Sequence, residues 1–280
     1  MRLCSFRAED DRARFGFADD AGIIDLTDRV SYSNLAAAIA ADDLAGLAKA
    51  ATGCAADYTT DDIVFLPTIP SPGKVVCIGL NYEPHRIEMG NEKAPYPTVF
   101  VRLNDTLVGH RGDLIKPSVS DAFDYEGEIA LVIGKAGRNI AEADAMVHVA
   151  GYTCFMDASV RDFQAQNLIA GKNFPGSGGM GPWMVPAAEM PAPHEVRLET
   201  RLNGSKMQEG RLNELTYSIP EMLAYISSWT DLRPGDVVST GTPSGVGTAR
   251  KPTVYMTAGD MIEVNVSGIG VLRHSVVDAA

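Results

Sequence analysis

Cysteine is scarce in this chain. Cys4, Cys54, Cys77 and Cys154 are the only four in 280 residues, with no C-x-x-C pair and no histidine at zinc-ligand spacing. That pattern argues against a disulfide framework or a thiolate metal site, and the four are read as reduced thiols. Positive charge is also short, since 24 Lys and Arg against 36 Asp and Glu leave a formal net charge of −12. A general nucleic-acid binder carries a cationic face to neutralise phosphates, so that class is not expected. Long apolar runs are missing too: the longest early one, 35–41, stops at Asp42 and Asp43, and Met1 is not followed by an apolar leader core. Neither a signal peptide nor a membrane span is expected, and the expected location is cytoplasmic. The composition that remains, 45% hydrophobic and 21% charged, is that of an ordinary globular chain with ample core for one large domain or two smaller ones.

Residues 1–66 read as a small N-terminal α/β domain, with short β-like stretches at 1–6, 14–17 and 22–25 and one Ala-rich helix over 33–49 ended by Gly53. Its apolar stripe of Leu35, Ile39, Leu44 and Leu47 serves packing, and no chemistry shows in this block. The three prolines of 67–73 read as a linker to a second domain, 74–280. There the pattern is strand after strand, at 74–79, 98–102, 125–134, 150–156, 182–185, 196–202, 236–241, 261–266 and 270–277. Asn203-Gly204 favours a tight hairpin, and Ser218 with Glu221 forms a capping box opening the one strong helix. Strict βαβ alternation is absent, which disfavours a doubly wound fold.

Chemistry gathers at a few places. In Asp124-Tyr125-Glu126-Gly127-Glu128, alternation along a strand puts Glu126 and Glu128 on one face, about 7 Å apart, at the mouth of an apolar run. Buried, such a pair needs Arg or Lys partners or a divalent cation; on an exposed edge strand it would simply be solvated. Asp157 closes another apolar run, 152–157, and is followed by Arg161 and Gln164, which share a face if a helix starts near 158. Three carboxylates without cysteine or histidine would suit Mg²⁺ or Mn²⁺ better than zinc, although Asp157 or Ser159 serves equally as a helix N-cap. His85 and Glu88, at i and i+3, can pair so that the carboxylate orients the imidazole. The run from Gly241 to Gly247 lacks the Gly-Lys-Ser/Thr ending of a phosphate loop, so nucleotide binding is set aside. A loop whose backbone and Thr242 hydroxyl approach a small anion stays open.

Taken in order, these pieces resemble the fumarylacetoacetate hydrolase family over about residues 74–277. They are Gly79-Leu80-Asn81-Tyr82 with His85 and Glu88, Phe100 with Arg102, Asp124 to Glu128, Asp157 to Gln164, Gly171-Lys172-Asn173-Phe174, Gly181-Pro182-Trp183, Asn203-Gly204, and Pro234-Gly235-Asp236 leading to Gly241-Thr242-Pro243. The resemblance implies an α+β, β-rich fold with a mixed β-roll, barrel-like catalytic domain, usually a homodimer. It implies a divalent Mg²⁺ or Mn²⁺ held by Glu126, Glu128 and Asp157. His85 with Glu88 would activate water, with Lys172 the third catalytic group, and Arg161, Gln164, Tyr82 and Thr242 would face a small keto-acid substrate. The activity it implies is hydrolysis of the carbon–carbon bond of acylpyruvates or related β-diketo acids. Decarboxylation of oxaloacetate-like β-keto acids, or isomerisation or hydration of unsaturated keto acids, are alternatives on the same site, and a catalytically silent ligand-binding protein is the alternative outside enzymes. Two departures stand out. Arg102 takes a place where lysine is commoner, and Lys172 precedes a glycine-rich stretch, 174–181, expected to shape the pocket or a lid.

Overall fold

The structure is a computed structural model describing all 280 residues. Its centre is the strand Gly127–Ile133, in which every residue is buried. A run that apolar, with no polar alternation, is what a strand covered on both faces requires. It pairs antiparallel with Val149–Met156 on one side and Val237–Ser239 on the other. From there the main sheet extends outward through Gly178–Pro186 in one direction and through Val75–Gly79 and Thr98–Arg102 in the other. A second sheet of five strands runs Ser205–Arg211, Arg197–Leu202, Met261–Val266, Gly270–Asp278 and Leu114–Lys116. Side chains from both sheets and from the helix Ile219–Trp229 form the larger apolar core. The architecture is a mixed, sheet-rich fold with few helices, and the main sheet runs open between edge strands Ile23–Asp25 and Thr98–Arg102 rather than closing into a barrel.

The 1–66 block does not pack as a separate unit. Its strand Leu3–Arg7 joins the main sheet by pairing Leu3 with Met184, and Leu3, Phe15 and Leu35 share one buried cluster with Val75, Val132 and Met180. The expected linker is packed as well: Thr68 and Ile69 are buried, and the Thr68 and Thr153 hydroxyls meet at 3.0 Å. Pro-rich sequence stiffens a segment, but side-chain burial decides whether it swings. The single helix expected over 33–49 is two, Leu35–Ala40 and Leu44–Ala51. Asp42 adopts φ +56° between them, and the Asp43 carboxylate caps the second helix at Gly46 N–H. The glycine stretch is also different from expectation. Gly178 to Gly181 lie in the strand Gly178–Pro186, where a Cβ at Gly179 would come within 2.1 Å of His274 Nε2. Those glycines permit close packing and line no part of the cavity described next.

Candidate active site

Register places the three carboxylates. Gly127 pairs with Met156 across the two central strands, so Glu126 and Glu128 flank the position beside which Asp157 leaves its strand. Ligand oxygens of all three lie within 4.8 Å of one another, and all three residues are buried. They line a cavity of about 390 Å³ together with His85, Arg161, Gln164, Lys172 and Thr242. Its remaining wall includes Ile78, Leu80, Met89, Phe100, Ala165 and Leu168, so the polar groups converge at one part of a partly apolar chamber. Met89 and Asn91, just past the His85 turn, contribute as well, whereas nothing from the glycine-rich stretch 174–181 does.

Buried charge of one sign has to be balanced. Lys172, on the short helix Leu168–Lys172, is itself buried and donates to Glu126 and, at 2.5 Å, to Asp157 Oδ2. Burial alone would lower the Lys172 pKa, but the charges of Asp157 and Glu126 outweigh it and raise the pKa. Arg102 donates to the other Asp157 oxygen at 2.5 Å and to Ser177 Oγ at 2.6 Å. Arg161 holds Asp124 through Nε at 2.7 Å and Gln164 through Nη1 at 2.7 Å. Its Nη2 sits 2.7 Å from Glu126 Oε1, a buried ion pair within the site. Burial pushes Glu126 upward, and Lys172 and Arg161 more than reverse this, taking it to about 2. Glu128 goes the other way: burial and the Asp157 charge push it well above the ordinary carboxylate range, against hydrogen bonds from Ser239 Oγ and Gly241 N–H.

The sum of this arrangement is four carboxylates, Asp124, Glu126, Glu128 and Asp157, against three cations, Arg102, Arg161 and Lys172. Glu128 is the carboxylate with no ion-pair partner of its own, in keeping with its raised pKa. All-oxygen donors, with one carboxylate lacking a cation, fit a hard divalent cation of the Mg²⁺ or Mn²⁺ kind.

On the other side of the chamber stands the helix Glu83–Glu88. The chain enters it through Leu80, which takes φ +54° and so turns sharply out of the strand Val75–Gly79. His85 Nδ1–H donates to Glu88 Oε2 at 3.1 Å, which leaves Nε2 as the free ring nitrogen. Glu88 in turn accepts Gly245 N–H on both oxygens, at 2.9 and 3.1 Å. A histidine so held is fixed in tautomer and has a counter-charge ready for its protonated form.

Of the residues expected at the site, the structure brings together His85, Glu88, Glu126, Glu128, Asp157, Arg161, Gln164 and Lys172. Thr242 is on the cavity wall, but its hydroxyl proton goes to Gly127 O at 2.8 Å and its oxygen accepts from Gln208 at 2.7 Å. It therefore ties the wall together and has no proton to offer a ligand. Tyr82 does not line the cavity: it precedes the His85 helix, is fully buried, and its hydroxyl has no partner. The apolar ring is taken up by packing, and sequence position beside His85 gave no sign of which way it turned. Two residues went unassigned in the sequence. Asp124 accepts Gly247 N–H, Thr248 N–H and Arg161 Nε at 2.7 to 2.9 Å, and Arg102 anchors Asp157. The available signal was a charged residue ending each of two short strands, Thr98–Arg102 and Phe123–Asp124.

Comparison with known proteins agrees with this geometry. Residues 74–277 match the family model described as the fumarylacetoacetate (FAA) hydrolase C-terminal domain. The oxaloacetate tautomerase YisK of Bacillus subtilis (strain 168) is 38% identical over 226 residues, covering 78% of this chain and 75% of that protein. Among solved structures, the fumarylacetoacetate hydrolase of the psychrophilic Exiguobacterium antarcticum is 31% identical with a TM-score of 0.84, both chains covered in full. Maleylpyruvate hydrolase of Sphingobium sp. SYK-6, in complex with manganese (II) ion and pyruvate, is 26% identical with a TM-score of 0.84, again over the whole of both chains. Fold, carboxylate cluster and sequence thus converge: the chain belongs to the fumarylacetoacetate hydrolase family.

Proposed function

We propose that this protein catalyses keto–enol tautomerisation of a small 2-oxo acid of the oxaloacetate kind, with Mg²⁺ or Mn²⁺ held by Glu126, Glu128 and Asp157. The observation that carries this reading is the placing of one imidazole, His85, in the same chamber as the buried carboxylate cluster and Arg161. The 38% identity to an oxaloacetate tautomerase supports it. When bound, the cation would supply Lewis-acid polarisation of the 2-oxo group.

The chain's own residues do the rest. Arg161, on the cavity wall, offers its positive charge to the substrate's 1-carboxylate. His85 Nε2 takes the proton from C3 as the C3–H bond breaks and the electron pair moves onto the C2 oxygen. Return of that proton to oxygen gives the enol, and return to carbon gives the keto form. Glu88 stabilises the imidazolium that forms meanwhile. Lys172, buried and cationic, offsets the negative charge developing beside Glu126 and Asp157.

A second reading has its own support. The same His85–Glu88 pair is placed to activate water, and the apolar wall of Leu80, Met89, Ala165 and Leu168 suits an acyl group, so hydrolysis of acylpyruvates to pyruvate and a carboxylic acid is the alternative. One experiment separates the two. Metal-loaded protein is given enol oxaloacetate and, separately, acetylpyruvate, with ultraviolet absorbance and products followed together. Faster loss of the enol band with total oxaloacetate conserved supports the tautomerase. Acetate and pyruvate from acetylpyruvate, without enol acceleration, transfers the assignment to the hydrolase, and CO₂ from oxaloacetate transfers it to a decarboxylase.

A further inference from the structure

The glycine-rich run from Gly241 to Gly247 meets anions after all, and they are the protein's own. Gly241 N–H donates to Glu128 at 3.1 Å, Gly245 N–H to Glu88, and Gly247 and Thr248 N–H to Asp124 at 2.7 and 2.9 Å. One loop thereby touches the carboxylate cluster, the partner of His85 and the anchor of Arg161.

We propose that Gly245 is a positioning residue whose backbone N–H latches the His85–Glu88 helix over the cavity, and that Arg250 braces this latch. The helix Glu83–Glu88 has six residues and no side-chain N-cap bond, so it holds little stability of its own. Glu88 has two hydrogen-bond donors, His85 within the helix and Gly245 from 157 positions away. No other residue type fits at 245. Its φ is +104°, and a Cβ there would come within 2.1 Å of Met207 O. The Gly245 carbonyl is pinned in turn by Arg250 Nε at 3.1 Å and Tyr125 OH at 3.2 Å, while Arg250 Nη2 donates to Met207 O at 2.5 Å. Arg250 therefore fastens the loop to the strand Ser205–Arg211, and the rigid loop sets where Glu88, and through it the His85 ring, comes to rest.

This inference rests on His85–Glu88 being the proton-moving pair, so its test has a readout that does not use activity. Hydrogen exchange of amides 83–89 is measured in the full chain for Arg250→Ala, Arg250→Lys, Gly245→Ala and Glu88→Ala, beside Mn²⁺ affinity and kcat on oxaloacetate. The expected result is exchange at least tenfold faster over 83–89 in Arg250→Ala and Glu88→Ala. Arg250→Lys should be intermediate, Mn²⁺ affinity should stay within twofold, and kcat in Arg250→Ala should fall at least tenfold. Gly245→Ala should match Arg250→Ala if it folds, and the other variants decide the matter if it does not. Unchanged exchange over 83–89 in Arg250→Ala overturns the latch, as does faster exchange with parental kcat. If the parent protein turns over no keto acid, the functional reading fails while the exchange data still judge the latch.

Discussion

Lys172 Nζ stands between Glu126 and Asp157, donating to a carboxylate oxygen of each and to the Asp157 carbonyl. It does inside the metal-free site part of what a divalent cation does when bound, and its loss should therefore be felt most without metal. Removing one partner of a buried ion cluster costs about 3–5 kcal/mol. Lys172→Met should lower the melting temperature of chelator-treated protein by roughly 10 °C, with most of the loss recovered at saturating Mn²⁺. Equal melting temperatures for parent and variant under chelation would contradict this role.

Stripping the metal should abolish turnover, and either Mg²⁺ or Mn²⁺ should restore it. Asp157→Asn should weaken Mn²⁺ binding, measured by calorimetry, by at least tenfold. It removes a charge from the donor set while keeping an acceptor for Arg102.

His85→Gln should lower kcat by about 10²- to 10⁴-fold, the range for losing a general acid–base group, with Mn²⁺ affinity and melting temperature unchanged. Glu88→Gln should give a smaller loss, because a neutral amide keeps an acceptor for the ring N–H and gives up the counter-charge. Rates near the parent's in His85→Gln would remove the proton-moving role.

Asp124→Asn is isosteric, yet its new N–H would face either Arg161 Nε and Thr248 N–H or Gly247 and Tyr125 N–H, all of which already donate. The mismatch should cost about 1–3 kcal/mol of stability and raise KM for the 2-oxo acid more than it lowers kcat, since Asp124 is what holds Arg161. Steady-state kinetics with urea unfolding of the same sample tests both halves.

Two histidines remote from the site weaken the fold in acid, and the raised pKa of Glu128, which acts in the opposite sense, offsets only part of this. Burial lowers His274 from 6.5 to about 4, and burial with the neighbouring His274 charge lowers His110 to about 3. Both are neutral when folded, so the stability they contribute is complete above pH 6.5 and is lost as pH falls towards those values, where the unfolded chain binds the extra protons. Each contributes a slope of up to about 1.4 kcal/mol per pH unit. Urea unfolding with chelator between pH 7 and pH 4.5 should show stability falling with acid. His274→Asn, which keeps a donor towards Gly112 O and cannot titrate, should flatten the slope by about one proton.

Much of the site was legible because its cues are local. Glu126 and Glu128 are related by strand alternation, His85 and Glu88 by a helical turn, and Asp157 by its place at the end of an apolar run. The strands of the main sheet were legible for the same reason. Long-range relations were not: that Lys172 reaches Glu126 across 46 positions, or that Arg102 reaches Asp157 across 55, is decided by how the strands stack. Asp124 could be seen but not assigned, because three of its partners lie elsewhere in the chain, in Arg161, Gly247 and Thr248. The break at Asp42 was hidden by alanines that suit one continuous helix, and the packing of the 1–66 block onto the main sheet comes from long-range contacts that a proline-rich segment reading as a linker does not reveal.

The pairing of Gly127 with Met156 has a consequence beyond holding two strands together. A slip of one residue between them would send Glu126 and Glu128 to the opposite face, away from Asp157. Only the correctly paired chain can bind the cation tightly, and whatever binds the native state alone deepens it relative to every mispaired competitor. The metal would then act as a proofreader of β-sheet assembly, rewarding the one alignment in which the chemistry is possible.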